Sequence, residues 1–213
     1  MKRKDFLKLS SASAMLLGLK SHGINLSNSD KNYDYLKNDS QYMGEFIAPK
    51  LNTVRVAFIG VGARGSGHAK QIAAIEGTEV VGISDLYTDL AEKSSFNCQE
   101  AGNGKRHKNI AIYSGAEDKW KAMLDEVKPD AVFISTNWDN HAPMAIETMK
   151  SGAHAFVEVP MATNIDDLWN IVNTSEKTRK HCMMMENVNY GKDELMYLNC
   201  LLYTSDAADD LRG

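Results

Sequence analysis

The stretch that most limits what this chain can fold into is "FIGVGARGSGH", Phe58 to His68. It sets Gly60, Gly62 and Gly65 in G-x-G-x-x-G spacing. The spacing alone is common, and its context gives it weight. The apolar run "TVRVAFIG" before it reads as a buried strand, and the residues after it open a helical pattern. In that setting Gly60 permits a tight turn, Gly62 lets backbone approach a pyrophosphate, and Gly65 lets helix and strand pack closely. The helix N-terminus offers N–H groups and the positive end of its dipole to phosphates. Ala63 and Arg64 form the tip of the loop. Arg64 is either laid over a pyrophosphate or adenine or is a solvated surface side chain, and the two readings are evenly matched.

A second strand, "EVVGISD", ends at Asp85, twenty positions beyond Gly65. An acid there accepts hydrogen bonds from the adenosine ribose and repels a 2′-phosphate, which favours NAD over NADP. The competing reading is an Asp that caps the next helix. Four more apolar runs follow: "IAIYSG", "DAVFIST", "AHAFVEV" and "HCMMMEN". Between them lie amphipathic stretches. Ala142, Ala145, Ile146 and Met149 share one helical face, and Ile165, Leu168, Trp169 and Val172 share another. Thr163 with Asp166 is capping-box-like, which starts that second helix near Asn164. Gly152 suits the end of the helix before it. Alternating strand and helix predict an α/β fold, a doubly wound (Rossmann) parallel sheet covered on both faces.

In such sheets ligands sit beyond the carboxyl ends of the strands. Three segments fall at that edge. "STNWDNH" follows the fourth strand, with Trp138 able to pack on a cofactor and His141 to hydrogen-bond near it; each is otherwise a structural residue. Asn140 is placed to cap the helix that carries Pro143. "VEVP" puts the lone carboxylate of Glu158 at the tip of the fifth strand, followed by Val159, which has no polar group. "ENVNYG" ends the sixth, with Asn187 directed at the same ligand and Tyr190 either a proton donor or acceptor or a half-buried aromatic. Met183 to Met185 read as core packing.

The ends of the chain read differently. "MKRKDFLKLSSASAMLLGLK" has a basic start and a weakly apolar stretch rich in Ser and Ala, the layout of an export signal. Its "RKDFLK" resembles a twin-arginine signal with Lys4 in the second position, so export to the periplasm or beyond is expected. The expected organisation is signal and arm over 1–30, a polar linker over 31–51, the dinucleotide-binding domain over 52–190, and the start of a second domain over 191–199. Residues 200–213, beginning "CLLYTSDAADD", look like translated sequencing adapter, which marks the chain as a fragment. A net charge of −4 gives no reason to expect nucleic acid or an anionic membrane as partner. No apolar run is long enough to span a bilayer, and three cysteines without ligand spacing point to neither metal nor a disulfide framework. A homo-oligomer is left open.

Taken together, Gly60–Gly65, Asp85, the segment Asn137–His141 and Glu158–Pro160 resemble the glucose–fructose oxidoreductase, inositol dehydrogenase and MocA superfamily. Members usually read Glu-Lys-Pro where this chain has Val159. "VEVPMA", "WDNH" and "KHCMMMENVNYG" are more similar still to the NAD-dependent glycosidases of glycoside hydrolase family 109, typified by α-N-acetylgalactosaminidase. The likeness runs from about Val54 to Asn199, with Asp139 where that family reads Glu. It implies NAD contacts at Ala63, Arg64, Asp85, Trp138, Asp139, Asn140, His141, Glu158, Val159 and Asn187. It places the sugar-binding residues and main catalytic residues in a second α/β sheet domain largely missing here, leaving Tyr190 as the only catalytic candidate.

The resemblance also implies redox-assisted elimination on a terminal N-acetylgalactosaminide or related glycoside, with NAD recycled within each turnover, rather than hydrolysis by paired carboxylates. The 213-residue chain alone is expected to be inactive. Two other readings compete. An NAD-dependent sugar or cyclitol dehydrogenase would release NADH, and Val159 counts against it because the position lacks an amine. A cofactor-holding protein without turnover is the third.

Overall fold

The computed structural model describes residues 42–210 except 103, 105, 187, 189 and 190, with backbone alone over 202–210. The expected export signal, the linker as far as residue 41, Asn187 and Tyr190 lie outside the described residues.

Among the described residues six strands and six helices alternate: β1 Val54–Ile59, α1 Gly65–Ala74, β2 Thr78–Asp85, α2 Thr88–Ala101, β3 Ala111–Ser114, α3 Lys119–Val127, β4 Ala131–Ile134, α4 Trp138–Lys150, β5 His154–Val157, α5 Ile165–Thr178, β6 Cys182–Met184 and α6 Lys192–Asp210. The strands form one sheet in the order β3-β2-β1-β4-β5-β6, all pairs parallel. This is the doubly wound fold expected, with the order reversing between β1 and β4.

Successive residues of β1 point to opposite faces. Val56 and Phe58 pack with Ala69, Ala73, Ala91 and Cys98 of α1 and α2. Ala57 and Ile59 pack with Met123, Leu124, Ala145 and Met149 of α3 and α4. Central strands buried on both sides cannot alternate polar and apolar residues, which is why the buried part of β1, Val56 to Ile59, is apolar throughout. Buried His107 pegs the α1 face: its Nδ1 accepts from Val80 N at 2.9 Å and its Nε2 lies 2.9 Å from Ala73 O. The ring pairs both with backbone, which compensates for its left-handed φ of 60°.

Several details differ from expectation. β6 is three residues long, and Met183 and Met184 are exposed rather than core. β6 is an edge strand, and among the described residues no strand pairs with its outer side. Phe58, Phe133 and Phe156 stack in a row across the sheet, ending at an apolar hollow lined by Pro49, Leu51, Phe156 and Met183. On α5 the apolar stripe Ile165, Leu168, Trp169 and Val172 is exposed, and Ile171 is the buried residue. The helix turns a different face to the core because Ile171 joins the cluster built by α3, α4 and β5. Its cap is Asn164, whose Oδ1 accepts from Asp167 N at 2.8 Å, one position later than the expected Thr163–Asp166 pair. α4 starts at Trp138, so Asn140 lies inside it and Asn137 is the N-cap; Asn140 Nδ2 donates to Asn137 Oδ1 at 2.6 Å. Gly152 behaves as expected, taking φ +97° just beyond α4.

The α1 glycines supply a sharp check on this packing. A Cβ at Gly65 would run into Gly60 O, whereas one at Gly67 meets nothing within 4 Å. Gly65→Ala is expected to destabilise the intact protein by about 1–3 kcal/mol. Gly67→Ala is expected to be neutral or to stabilise by up to about 1 kcal/mol. Urea unfolding midpoints compare the two; equal midpoints would contradict the close approach.

Candidate functional site

Strand register decides which side chains meet. Ile59 is level with Ser84 and with Ile134, Ile134 with Val157, and Val157 with Met184. Gly60, Asp85, Ser135, Glu158 and Met185 therefore all leave the sheet at one edge. A cleft of about 400 Å3 opens there at the reversal of strand order, lined by Gly60, Gly62, Asp85, Ser135, Asn137 and Asn140 among others. That is where doubly wound sheets bind ligands.

The floor of the cleft is built by close backbone contact. Gly60 has φ +82°, and a Cβ on it would come within 2.5 Å of Ser135 O. Its N–H donates to Ser84 O at 2.8 Å. Gly62 is the reverse case: nothing lies within 4 Å of where its Cβ would be. The space beside it is open to a ligand. No side chain caps α1, and its first turn holds no acid. The Ser135 hydroxyl is buried without a hydrogen-bond partner on the same lining. An uncapped helix start, an open glycine and an orphan hydroxyl fit a pyrophosphate.

Asp85 belongs partly to the structure. Its Oδ2 accepts from Val61 N at 2.7 Å and its Oδ1 from Tyr87 N at 3.0 Å. It thus ties the glycine loop to the start of α2, and each oxygen keeps a further lone pair for a ribose hydroxyl. The two readings drawn from sequence, ribose acceptor and local cap, are compatible. Trp138 is 63% exposed at the start of α4. Asp139 is also exposed. His141 is buried, with Nδ1 2.7 Å from Pro160 O and Nε2 3.1 Å from Thr136 O. It braces the loops after β4 and β5 against each other. Val159 is 40% exposed and the Val159–Pro160 peptide is cis.

Glu158 is the electrostatic centre of the other end of this edge. Its Oε1 lies 2.6 Å from His68 Nε2 and accepts from Arg64 Nε at 3.0 Å. Its Oε2 accepts from Val159 N at 3.2 Å. Burial pushes the carboxyl upward, but the hydrogen bonds from His68, Arg64 and Val159 and the Arg64 charge outweigh it, holding Glu158 below its usual value. His68 escaped the sequence reading. The signal was present in its spacing, since it lies one turn beyond Arg64 on the same helical face, but its partner is 90 positions away.

Other reactive groups are quiet. Burial pushes the Cys98 thiol up to about 11, against a small opposing effect of Ser94, and the Cys182 thiol up to about 12. Neither is a nucleophile near neutral pH. Among the described residues no helix is long and apolar enough to cross a membrane, and no cluster of His, Cys, Asp or Glu is arranged to hold a metal.

A depressed acid contributes its interactions above its unfolded pKa and loses them as pH falls through the lower folded value. The link between Glu158 and α1 is therefore expected to persist through the ordinary carboxylate range and to break only below it. A carbon-13 titration of the Glu158 carboxyl should give a midpoint under 4.5; a midpoint above that value would contradict the geometry.

Comparison with known proteins agrees with this fold. The family model described as "Oxidoreductase family, NAD-binding Rossmann fold" matches residues 54–186. Glycosyl hydrolase family 109 protein 1 of Akkermansia muciniphila is 58% identical over 158 residues, covering 74% of this chain and 32% of that protein. The alpha-N-acetylgalactosaminidase of Shewanella oneidensis is 42% identical over 197 residues, covering 92% of this chain and 42% of that protein. The chain thus spans roughly a third to two fifths of the length of these relatives. Scyllo-inositol dehydrogenase of Lactobacillus casei, solved with NAD(H) and scyllo-inositol, superposes with a TM-score of 0.60 at 17% identity over 72% of this chain and 42% of that one. At that identity the likeness speaks for the fold alone. With the matched family model covering all six strands, the chain belongs to the Gfo/Idh/MocA oxidoreductase family with an NAD-binding Rossmann fold.

Proposed function

We propose that this chain is the cofactor-binding part of an NAD-dependent glycosidase acting on a terminal N-acetylgalactosaminide or related glycoside. The observation that carries the reading is its 58% identity to a glycosyl hydrolase family 109 protein, joined to an apolar residue, Val159, after the strand-end acid Glu158. Export is part of the proposal and rests on "MKRKDFLK" at the start of the chain.

The chain's own residues account for the binding half. The open side of Gly62 admits a pyrophosphate against the uncapped start of α1. Asp85 accepts from the adenosine ribose and disfavours a 2′-phosphate. Glu158 places a carboxylate at the far end of the edge, where the nicotinamide ribose falls. The Val159 side chain supplies neither proton nor hydrogen bond, so it offers no acid or base to a substrate oxygen. Asn187 and Tyr190 join the proposal through family likeness, as a cofactor contact and a proton-transfer group. When bound, NAD supplies a reversible hydride acceptor for C3 of the sugar, which acidifies the C2 proton, permits loss of the C1 group and returns the hydride after water adds.

The intact protein, with no NAD added, is expected to release aryl alcohol from an aryl α-N-acetylgalactosaminide over many turnovers without accumulating reduced cofactor. Parallel readings of aglycone and of NADH absorbance test this. Stoichiometric NADH build-up with sugar and no aglycone release would overturn the glycosidase reading in favour of a dehydrogenase.

A further inference from the structure

We propose that His68 is the positioning residue for Glu158, fixing one carboxylate oxygen so that the other is presented to the bound cofactor, and thereby setting how tightly NAD is held. The proposal rests on the cofactor reading above and assigns a residue that neither the glycine motif nor the strand-end motifs include.

The geometry is specific. His68 and Arg64 converge on the same oxygen, Oε1, at 2.6 and 3.0 Å. Oε2 holds only the long 3.2 Å bond from the adjacent backbone N–H. A carboxylate has about four lone-pair sites, so Oε1 is taken and Oε2 keeps capacity for a hydroxyl. The cluster joins the second turn of α1 to the end of β5, two elements otherwise connected through the sheet. It therefore couples the helix that meets the phosphates to the acid at the opposite end of the site.

His68 rather than Arg64 carries this role for three reasons. Its contact is shorter. Its side chain is 24% exposed against 54% for Arg64, and exposed ion pairs contribute little. Arg64 also stands at the tip of the glycine loop, where a pyrophosphate competes for its guanidinium, whereas His68 sits one turn further in. Among the described residues, His68 and Arg64 are the charged or titratable side chains that bond the Glu158 carboxylate. A purely structural account, in which His68 only steadies α1, makes different predictions.

The test is calorimetric titration of NAD⁺ into the intact protein freed of cofactor. His68→Ala is expected to weaken binding on the order of tenfold, as loss of a charge-assisted hydrogen bond to a shielded acid would. His68→Gln, which keeps a donor, is expected to recover most of it. In a Glu158→Ala background, His68→Ala should add nothing. The Glu158 carboxyl titration midpoint should rise in His68→Ala. His68→Phe keeps the ring volume without its nitrogens and serves if the alanine variant does not fold; it should bind as weakly as His68→Ala. Wild-type affinity in His68→Ala or His68→Phe, or the same loss with and without Glu158, would overturn the proposal while leaving the cofactor reading intact. Failure of the unsubstituted protein to bind NAD⁺ would overturn both.

Discussion

The structure depends on close approach of backbone to backbone at two glycines. The carbonyl of Gly60 lies where a Cβ on Gly65 would stand, and the carbonyl of Ser135 lies where a Cβ on Gly60 would stand. Side chains at either position would push α1 off the sheet and β4 off β1. Because both are glycine, the first turn of α1 seats at the end of β1, directly beside β4. The cleft exists because the helix start, the β2 end and the β4 end are held this near to one another. Gly62 completes the arrangement by leaving room where the other two leave none.

That placement turns two isolated acids into parts of one site. Asp85 and Glu158 come from strands on opposite sides of the reversal point, yet register brings both to the same edge. Each is held by the glycine segment itself: Asp85 by Val61 N, Glu158 by Arg64 and His68. The loop is thus braced at both ends by carboxylates before any ligand is considered. Buried His141 supplies the matching brace on the other side, between the loops after β4 and β5.

Much of this was legible in the sequence, because it depends on local chemistry. Glycine spacing, an acid at the end of β2, and apolar runs of strand length set the fold and the edge. What was not legible depends on contacts distant along the chain. The tie from His68 to Glu158 joins segments that no short motif spans. Which stripe of α5 is buried depended on Ile171 meeting α3, α4 and β5, and helical periodicity by itself favoured Ile165, Leu168, Trp169 and Val172. The methionines of β6 read as core because they are apolar, but their exposure follows from β6 standing at the sheet edge. α4 starts three positions earlier than Asn140 as its cap implies, because Asn137 is the N-cap and Pro143 sits well inside the helix.

In the proposed function, an oxidoreductase scaffold serves hydrolysis by borrowing a hydride and returning it. The most direct measurement of this is turnover of an α-N-acetylgalactosaminide by the intact protein in deuterium oxide, with the released sugar analysed by NMR. The account predicts solvent deuterium at C2 and the substrate's own hydrogen retained at C3. A product carrying its original hydrogen at C2 would contradict it.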